Sequence, residues 1–136
     1  MTSPQRILAD ANVIAVVGAS RDPGKPAHSV PAQLKRYGWR VIPVNPHADE
    51  IWGEKVYRSL ADIPEPVDLV NVFRPAADAP QVAREAVAIG AKAIWLQQDI
   101  VSAEARAVAE QAGLAYVEDN CTAVIRALYQ LDKRPA

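Results

Sequence analysis

The segment Val13–Val17, together with the loop that follows it, constrains the fold more than any other part of the sequence. Its five consecutive apolar residues are mostly β-branched, which predicts a parallel strand buried on both faces. Gly18, Ala19 and Ser20 then leave backbone N–H groups uncovered ahead of a predicted helix. Such groups favour an anion, so the segment predicts a strand that leads into a phosphate-binding loop.

The loop matches neither of the two standard nucleotide-binding motifs. A dinucleotide fingerprint has glycines where this chain has Ser20 and, three residues later, Pro23. A Walker loop has four residues between its glycines and a Ser or Thr after its lysine. Five residues separate Gly18 from Gly24, and neither Ser nor Thr follows Lys25. We therefore expect a phosphate loop of another kind.

Composition excludes several classes of protein. With 136 residues, 50% of them hydrophobic and 23% charged, the chain is predicted to form one domain over residues 1–136 with its own core. A net charge of −1 gives no support to a nucleic-acid surface, and the apolar runs are too short to span a membrane. One cysteine excludes an internal disulfide and suits a reducing compartment. Without an apolar leader after Met1, a cytoplasmic location is expected.

Apolar strands alternate with helical patterns along the whole chain. The predicted main strands are Val13–Val17, Arg40–Val44, Asp68–Phe73, Ala91–Leu96 and Leu114–Val117. Helices between them imply right-handed crossovers and a parallel sheet covered on both faces. The sequence predicts an α/β, Rossmann-like, doubly wound fold in three layers, α/β/α. In such folds ligands bind beyond the carboxyl ends of the strands.

Finer patterns predict how the helices begin and pack. Asp78 and Ser102 are expected to cap the helices that they precede, and Pro31 to lie in the first turn of its helix. Trp39 and Trp52 are expected at the surface or at a subunit contact. The apolar residues at the end of the chain are predicted to face inward; these are Val124, Ile125, Leu128 and Leu131.

Candidate binding residues follow the first two strands. The loop backbone and Ser20 are expected to hold a pyrophosphate, to which Arg21 or Lys25 adds positive charge. After the second strand a NAD enzyme normally has an acid for the ribose hydroxyls, but this chain has Asn45 and Pro46. Both residues also favour ordinary turns. The absence of an acid at this position disfavours NAD. It is compatible with a ligand that is phosphorylated on its ribose.

The other strand ends supply four further candidates. Phe73 and Arg74 either flank a ligand or, in the case of Phe73, pack in the core. Gln97 offers both a donor and an acceptor. Cys121 precedes a helix, whose dipole favours a thiolate, although a buried, unreactive cysteine is also consistent with this position.

Taken together, the strand ends resemble the CoA-binding domain family, small proteins built like the amino-terminal domain of the succinyl-CoA synthetase α subunit. The resemblance extends from about Val13 to Leu131. The segments that carry it are Val16–Ser20, Val44–Pro46, Phe73–Pro75, Trp95–Gln97 and Asp119–Cys121.

The resemblance implies a role for each candidate residue. The CoA pyrophosphate would be held by Gly18, Ala19, Ser20 and Arg21. Asn45 and Pro46 would line the adenosine side, and Lys25 would be available for the ribose phosphate. The pantetheine path would be bordered by Phe73, Arg74 and Gln97, with Asn120 and Cys121 near its far end.

Two classes of function follow from these observations. The first is a stand-alone CoA-binding or acyl-CoA-binding protein without its own catalytic centre, which senses CoA or presents it to a partner. Synthetase activity is not expected, because the synthetase's phosphorylated histidine lies in a further domain. The second is an enzyme, either a small NAD(P)-linked oxidoreductase or a CoA-thiol redox protein that uses Cys121. No metal site is expected, because His28 and His47 have no partners at metal-ligand spacing. A homodimer is also expected.

Overall fold

Strands and helices alternate as the apolar pattern predicts. The structure is a computed structural model that describes residues 2–136; Met1, the first residue of the predicted domain, lies outside it. The strands are β1 (Val13–Val17), β2 (Arg40–Val44), β3 (Glu50–Ile51), β4 (Glu54–Lys55), β5 (Leu69–Val72), β6 (Ala93–Leu96) and β7 (Ala115–Val117). The helices are α1 (Pro4–Asp10), α2 (Pro26–Arg36), α3 (Ala79–Ala88), α4 (Ala103–Gln111) and α5 (Thr122–Leu128).

Five of the strands form a parallel sheet in the order β2-β1-β5-β6-β7. The chain runs outward from β1 to β2 and then crosses to β5 on the other side of β1. Helices α1, α2 and α5 pack together, as do α3 and α4, and each group covers an apolar cluster of its own. The predicted Rossmann-like α/β fold is confirmed. Its strand order reverses between β1 and β5, which is where such folds bind ligands.

The core differs from the prediction at one tryptophan. Trp39 is 3% exposed and packs in the cluster under α1 and α2, so its predicted surface position is wrong. Its indole Nε1 donates a hydrogen bond to the Leu8 carbonyl at 3.2 Å. A buried indole needs a partner for this N–H group. A carbonyl near the carboxyl end of α1 supplies it, because the last carbonyls of a helix lack helical partners.

The predicted helix features are partly confirmed. Ser102 caps α4 by accepting a hydrogen bond from the Ala105 N–H at 3.0 Å. Asp78 makes no capping bond, so that prediction is wrong; its backbone is helical and its carboxylate pairs with Arg74. Pro31 lies in the second turn of α2, because the helix begins at Pro26 rather than later.

The last helix presents less of its apolar surface to the core than predicted. Ile125 is buried, but Val124 and Leu128 are 51% and 70% exposed, so the prediction that they face inward is wrong. Helix α5 is only seven residues long. Thr122 and Ile125, three residues apart, occupy the stripe that faces the sheet. Among residues 2–136, none of the helices has the length and apolar composition needed to cross a membrane.

A partly buried acid joins the starts of neighbouring strands. The Asp68 carboxylate, just before β5, accepts hydrogen bonds from the N–H groups of Asn12 at 3.0 Å and Val13 at 2.9 Å. Lys92, just before β6, places its Nζ 3.5 Å away. Partial burial opposes ionisation, but the two backbone donors and Lys92 hold the pKa of Asp68 below its ordinary value.

We predict that Asp68→Asn destabilises the protein by roughly 1–3 kcal/mol at about pH 7, because hydrogen bonds to a charged acceptor are lost. Because folding lowers the pKa of Asp68 from its ordinary value of 3.8, the ionised carboxylate stabilises the folded state fully at pH values well above 3.8. This stabilisation is lost as the pH falls through the lower pKa of the folded state. Urea unfolding at about pH 7 and about pH 3 measures the free energy of unfolding of both proteins. The difference between wild type and Asp68→Asn should be smaller at about pH 3. The exposed Asp62→Asn serves as a control. A difference that stays constant with pH would contradict the role given to the charge.

Candidate functional site

The loop after β1 touches the end of β5 at the point where the strand order reverses. Gly18 has a φ of +86°. A Cβ at this position would lie 2.7 Å from the Phe73 carbonyl oxygen and 3.0 Å from Cδ of Arg74. Glycine is therefore required both for the backbone conformation and for the close approach. The contact brings the predicted phosphate loop against the end of the neighbouring strand.

Three hydrogen bonds hold the loop in place. Asn45 Nδ2 donates to the Ala19 carbonyl at 2.8 Å. The Ser20 N–H donates to the Ala27 carbonyl at 3.3 Å. The Ser20 carbonyl in turn accepts from His28 Nδ1 at 2.8 Å. The loop is thus fastened on one side to the end of β2 and on the other to the first turn of α2.

The unexpected position of Pro31 explains one of these bonds. In an α-helix the N–H of residue 31 would donate to the carbonyl of residue 27. Proline has no N–H, so the Ala27 carbonyl lacks its helical donor. It accepts the Ser20 N–H in its place. The proline that interrupts the helical ladder therefore provides an attachment point for the loop.

The loop retains donors and charges without protein partners. Among residues 2–136, the backbone N–H groups of Ala19 and Arg21 donate to no acceptor. In the same part of the chain, the exposed side chains of Arg21 and Lys25 form neither ion pairs nor hydrogen bonds. The Ser20 hydroxyl accepts the Asp22 N–H at 3.1 Å, and Asp22 Oδ1 accepts the Gly24 N–H at 2.9 Å. Free N–H groups beside two cations are suited to an anionic ligand.

A cavity of about 480 Å³ opens beside the loop. It lies between the start of α2, the ends of β5 and β6, and the start of α5. Four predicted site residues, Lys25, Phe73, Gln97 and Cys121, share its wall. The remaining lining residues are Pro26, Ala27, Val30, Gln98, Asp99 and Ile100. The wall is mainly apolar at α2 and Phe73, and polar at the end of β6.

A buried polar network orients Gln97. This side chain is 4% exposed, and its Nε2 donates to Asn71 Oδ1 at 2.5 Å and to Thr122 Oγ1 at 3.1 Å. Asn71 Nδ2 also donates to the threonine hydroxyl, at 3.4 Å. Within residues 2–136 the Gln97 amide oxygen accepts no hydrogen bond. An acceptor thus remains for a ligand in the cavity that Gln97 lines.

Eight of the twelve predicted residues do not line the cavity. Five of them belong to the loop after β1 or support it, namely Gly18, Ala19, Ser20, Arg21 and Asn45, and the other three are Pro46, Arg74 and Asn120. The Arg74 guanidinium pairs with Asp78 at 2.8 Å, while its aliphatic stem covers Gly18. Asn120 Nδ2 donates to the Glu118 carbonyl at 2.9 Å. Pro46 is exposed, in a turn that the preceding asparagine closes by accepting two backbone N–H groups at 2.7 and 2.8 Å. Asn45 therefore acts as a support for two loops.

Sequence reasoning missed four residues that shape the site. Asn71 carried a signal, since a polar residue within an apolar strand requires a buried partner. Thr122 begins α5, and its contact with Gln97 lies 25 residues away in sequence, so no local pattern indicates it. His28 and Trp52 contact each other across 24 residues of sequence, and no local pattern indicates such a pair.

Comparison with known proteins agrees with this arrangement. A family model described as the CoA binding domain matches residues 12–127. The uncharacterized protein YneT of Bacillus subtilis is 38% identical over 124 residues, covering 91% of this chain and 92% of that protein. The chain belongs to the CoA-binding domain family, as the resemblance predicted.

Two further relatives place the chain within the family. It is related to the CoA-binding amino-terminal region of ADP-forming acetate–CoA ligases. It is 42% identical over 81 residues to acetate–CoA ligase [ADP-forming] II of Archaeoglobus fulgidus, covering 58% of this chain but 12% of that enzyme. The solved structure of cell-free ID.343 from Thermus thermophilus superposes with a TM-score of 0.85 at 40% identity, covering 90% of this chain and 92% of the other.

We predict that Gly18→Ala destabilises the protein more than Gly113→Ala does. Both glycines have positive φ, so each alanine costs roughly 1–2 kcal/mol in backbone strain. A Cβ at Gly113 has no atom within 4 Å, whereas one at Gly18 meets the Phe73 carbonyl. Urea unfolding of the two variants measures the difference. Equal losses would show that the contact between Gly18 and Phe73 is unimportant.

Proposed function

We propose that this protein is a stand-alone CoA-binding or acyl-CoA-binding protein without a catalytic centre of its own, which senses CoA or presents it to a partner. The observation that carries the proposal is the position of the loop, with its free N–H groups and two cations, beside a partly apolar cavity of about 480 Å³. Lys25 belongs to both, because it lies at the end of the loop and on the cavity wall. CoA itself combines a diphosphate with a long, weakly polar pantetheine arm.

The proposed assignments follow the free groups of the site. The unpaired N–H groups of Ala19 and Arg21 would bind the pyrophosphate, with Gly18 and Ser20 shaping the loop. Phe73 would pack against pantetheine, and the free amide oxygen of Gln97 would accept one of its amide N–H groups. The thiol end would then lie towards Cys121, with Asn120 behind it. Arg74, whose guanidinium pairs with Asp78 and whose stem lies over Gly18, would border the pantetheine path beside Phe73.

The adenosine side is assigned to the turn that follows β2. Asn45 and Pro46 stand there without the acid that would repel a ribose phosphate. Arg21 and Lys25 are the unpaired cations of the loop and are available for that phosphate. A cytoplasmic location and a homodimer stay predictions from the sequence.

We predict that the protein binds CoA more tightly than 3′-dephospho-CoA, and both more tightly than NAD. Loss of one charge-assisted contact costs about 1.5–3 kcal/mol, so removal of the 3′-phosphate should weaken binding about tenfold or more. Isothermal titration with the three ligands measures this order. Equal binding of all three, or binding of none, would reject the proposal.

Matched charge variants locate the ribose phosphate. Arg21→Gln should reduce the preference for CoA over 3′-dephospho-CoA, because Arg21 has no other partner among residues 2–136. Arg84→Gln removes the same charge from α3, on the opposite face of the sheet, and should leave the preference unchanged. If Arg21→Gln also leaves it unchanged, the phosphate contact belongs to Lys25 or to neither residue. The variant Lys25→Gln distinguishes these cases.

A second candidate function is thiol exchange at Cys121. This residue lines the same cavity and occupies the position before α5. Its thiolate would attack one sulfur of CoA disulfide, breaking the S–S bond and releasing one CoA thiolate, which takes up the proton that Cys121 loses. The product is a mixed disulfide between CoA and the protein. CoA disulfide is the only oxidant required.

We predict that incubation with CoA disulfide adds one CoA to the protein, and that Cys121→Ser abolishes the addition. Intact-protein mass spectrometry detects the adduct directly. Glutathione disulfide is the control, since it offers the same chemistry without a nucleotide. An unmodified wild-type protein would eliminate this candidate, and equal modification by both disulfides would show that the cavity does not select CoA.

A further inference from the structure

His28 reaches the loop from the first turn of α2. Its Nδ1 lies 2.8 Å from the Ser20 carbonyl oxygen. A carbonyl only accepts, so Nδ1 must carry the hydrogen of this bond. The imidazole has Nδ1 protonated in this arrangement, whether the ring is neutral or charged. The bond therefore acts as a fixed support for the Ser20 carbonyl.

The orientation of one peptide group follows from this bond. In a trans peptide the carbonyl of Ser20 and the N–H of Arg21 share one plane and point in opposite directions. When His28 holds the carbonyl towards α2, the Arg21 N–H is directed away from that helix. This N–H is one of the loop donors that have no acceptor among residues 2–136. His28 thus determines the direction of a free donor that it does not touch.

Trp52 holds His28 in turn. The Trp52 Nε1 donates to the His28 carbonyl at 3.0 Å, and the centroids of the two rings are 5.8 Å apart. Trp52 and Gly53 form the two-residue turn between β3 and β4 with φ values of +56° and +74°. A tryptophan is unfavourable at such a position, where Asn or Gly is usual. The turn is retained in a conformation that places the indole against α2.

The hairpin is fastened to the same helix at a second point. Lys35 Nζ donates to the Trp52 carbonyl and forms an ion pair with Glu54 at 3.0 Å. Glu54 also pairs with Arg40 of β2 at 3.0 Å. The β3–β4 hairpin is therefore bound to both α2 and β2, and its tryptophan restrains the histidine that supports the loop.

We propose that His28 is a positioning residue for ligand phosphate, and that the β3–β4 hairpin keeps it in place through Trp52. The inference rests on the proposed function, since the ligand phosphate is that of CoA. His28 does not contact the ligand in this arrangement. It holds the Ser20–Arg21 peptide in one orientation, in which the Arg21 N–H is free for an anion, and so removes the cost of ordering that peptide on binding.

Two substitutions at the same position test the role of the donor. His28→Leu keeps apolar bulk but has no donor, whereas His28→Asn keeps an N–H close to the position of Nδ1. We expect His28→Leu to weaken CoA binding about tenfold, and His28→Asn to stay within about threefold of wild type, in isothermal titration. Thermal unfolding of both variants separates lost binding from lost stability.

A second measurement follows the donor itself. Inorganic pyrophosphate is added to ¹⁵N-labelled protein, and the amide signal of Arg21 is recorded. We expect that signal to move in wild type and His28→Asn at concentrations that leave it unchanged in His28→Leu. Should His28→Leu fail to fold, Trp52→Phe replaces it, because it keeps an aromatic ring, although a smaller one, and removes the donor to the His28 carbonyl. This variant should weaken CoA binding about threefold.

The outcomes separate this inference from the proposed function. If wild type binds CoA and His28→Leu binds it equally well, the positioning role is overturned while the function stands. Equal losses in His28→Leu and His28→Asn also overturn it, because the donor would then be irrelevant. If wild type does not bind CoA, the function fails. The pyrophosphate titration then decides the positioning role alone, and an Arg21 signal that never moves overturns it.

Discussion

The close approach of Gly18 to the Phe73 carbonyl is the contact on which the arrangement of the site depends. A Cβ at Gly18 would lie 2.7 Å from that oxygen, so the two strand ends meet only because one residue lacks a side chain. Beyond this contact the loop after β1 turns towards α2, and the chain after β5 turns towards α3. The cavity occupies the space on the α2 side, between the end of β5 and the start of α5. The reversal of strand order therefore becomes a binding cleft through a contact between two backbones.

The polar groups of the loop explain why this cleft suits an anion. Backbone groups near a core require partners, and three of them find protein partners in Asn45, Ala27 and His28. Two of these hydrogen bonds depend on residues of α2, namely Pro31 and His28. Pro31 removes a helical donor from the Ala27 carbonyl, and His28 turns a ring back towards the loop. The N–H groups that remain, together with two cations, form the donor set of the proposed phosphate site.

Membership of the CoA-binding domain family is consistent with a site rich in binding groups and poor in reactive ones. The cavity wall offers the Cys121 thiol, the amides of Gln97 and Gln98, the charges of Lys25 and Asp99, and apolar surface. The match to the ligase relative covers 81 residues, which are 12% of that enzyme's length. The same network supports the role proposed for Gln97. Its amide keeps a defined orientation because Asn71 and Thr122 accept from its Nε2, and its oxygen, which accepts no hydrogen bond within residues 2–136, is available to the proposed ligand.

The sequence alone determined the main strands, the position of the loop between β1 and α2, the Ser102 cap and the family, because each depends on neighbours within a few residues or on the order of strand ends. Tertiary structure decided the burial of Trp39 and the exposure of Leu128. It also decided which candidates share a cavity. Gln97 meets Thr122 across 25 residues, and Trp52 meets His28 across 24. Contacts at such separations arise from the packing of helices on the sheet, and the periodicity of a single segment does not predict them.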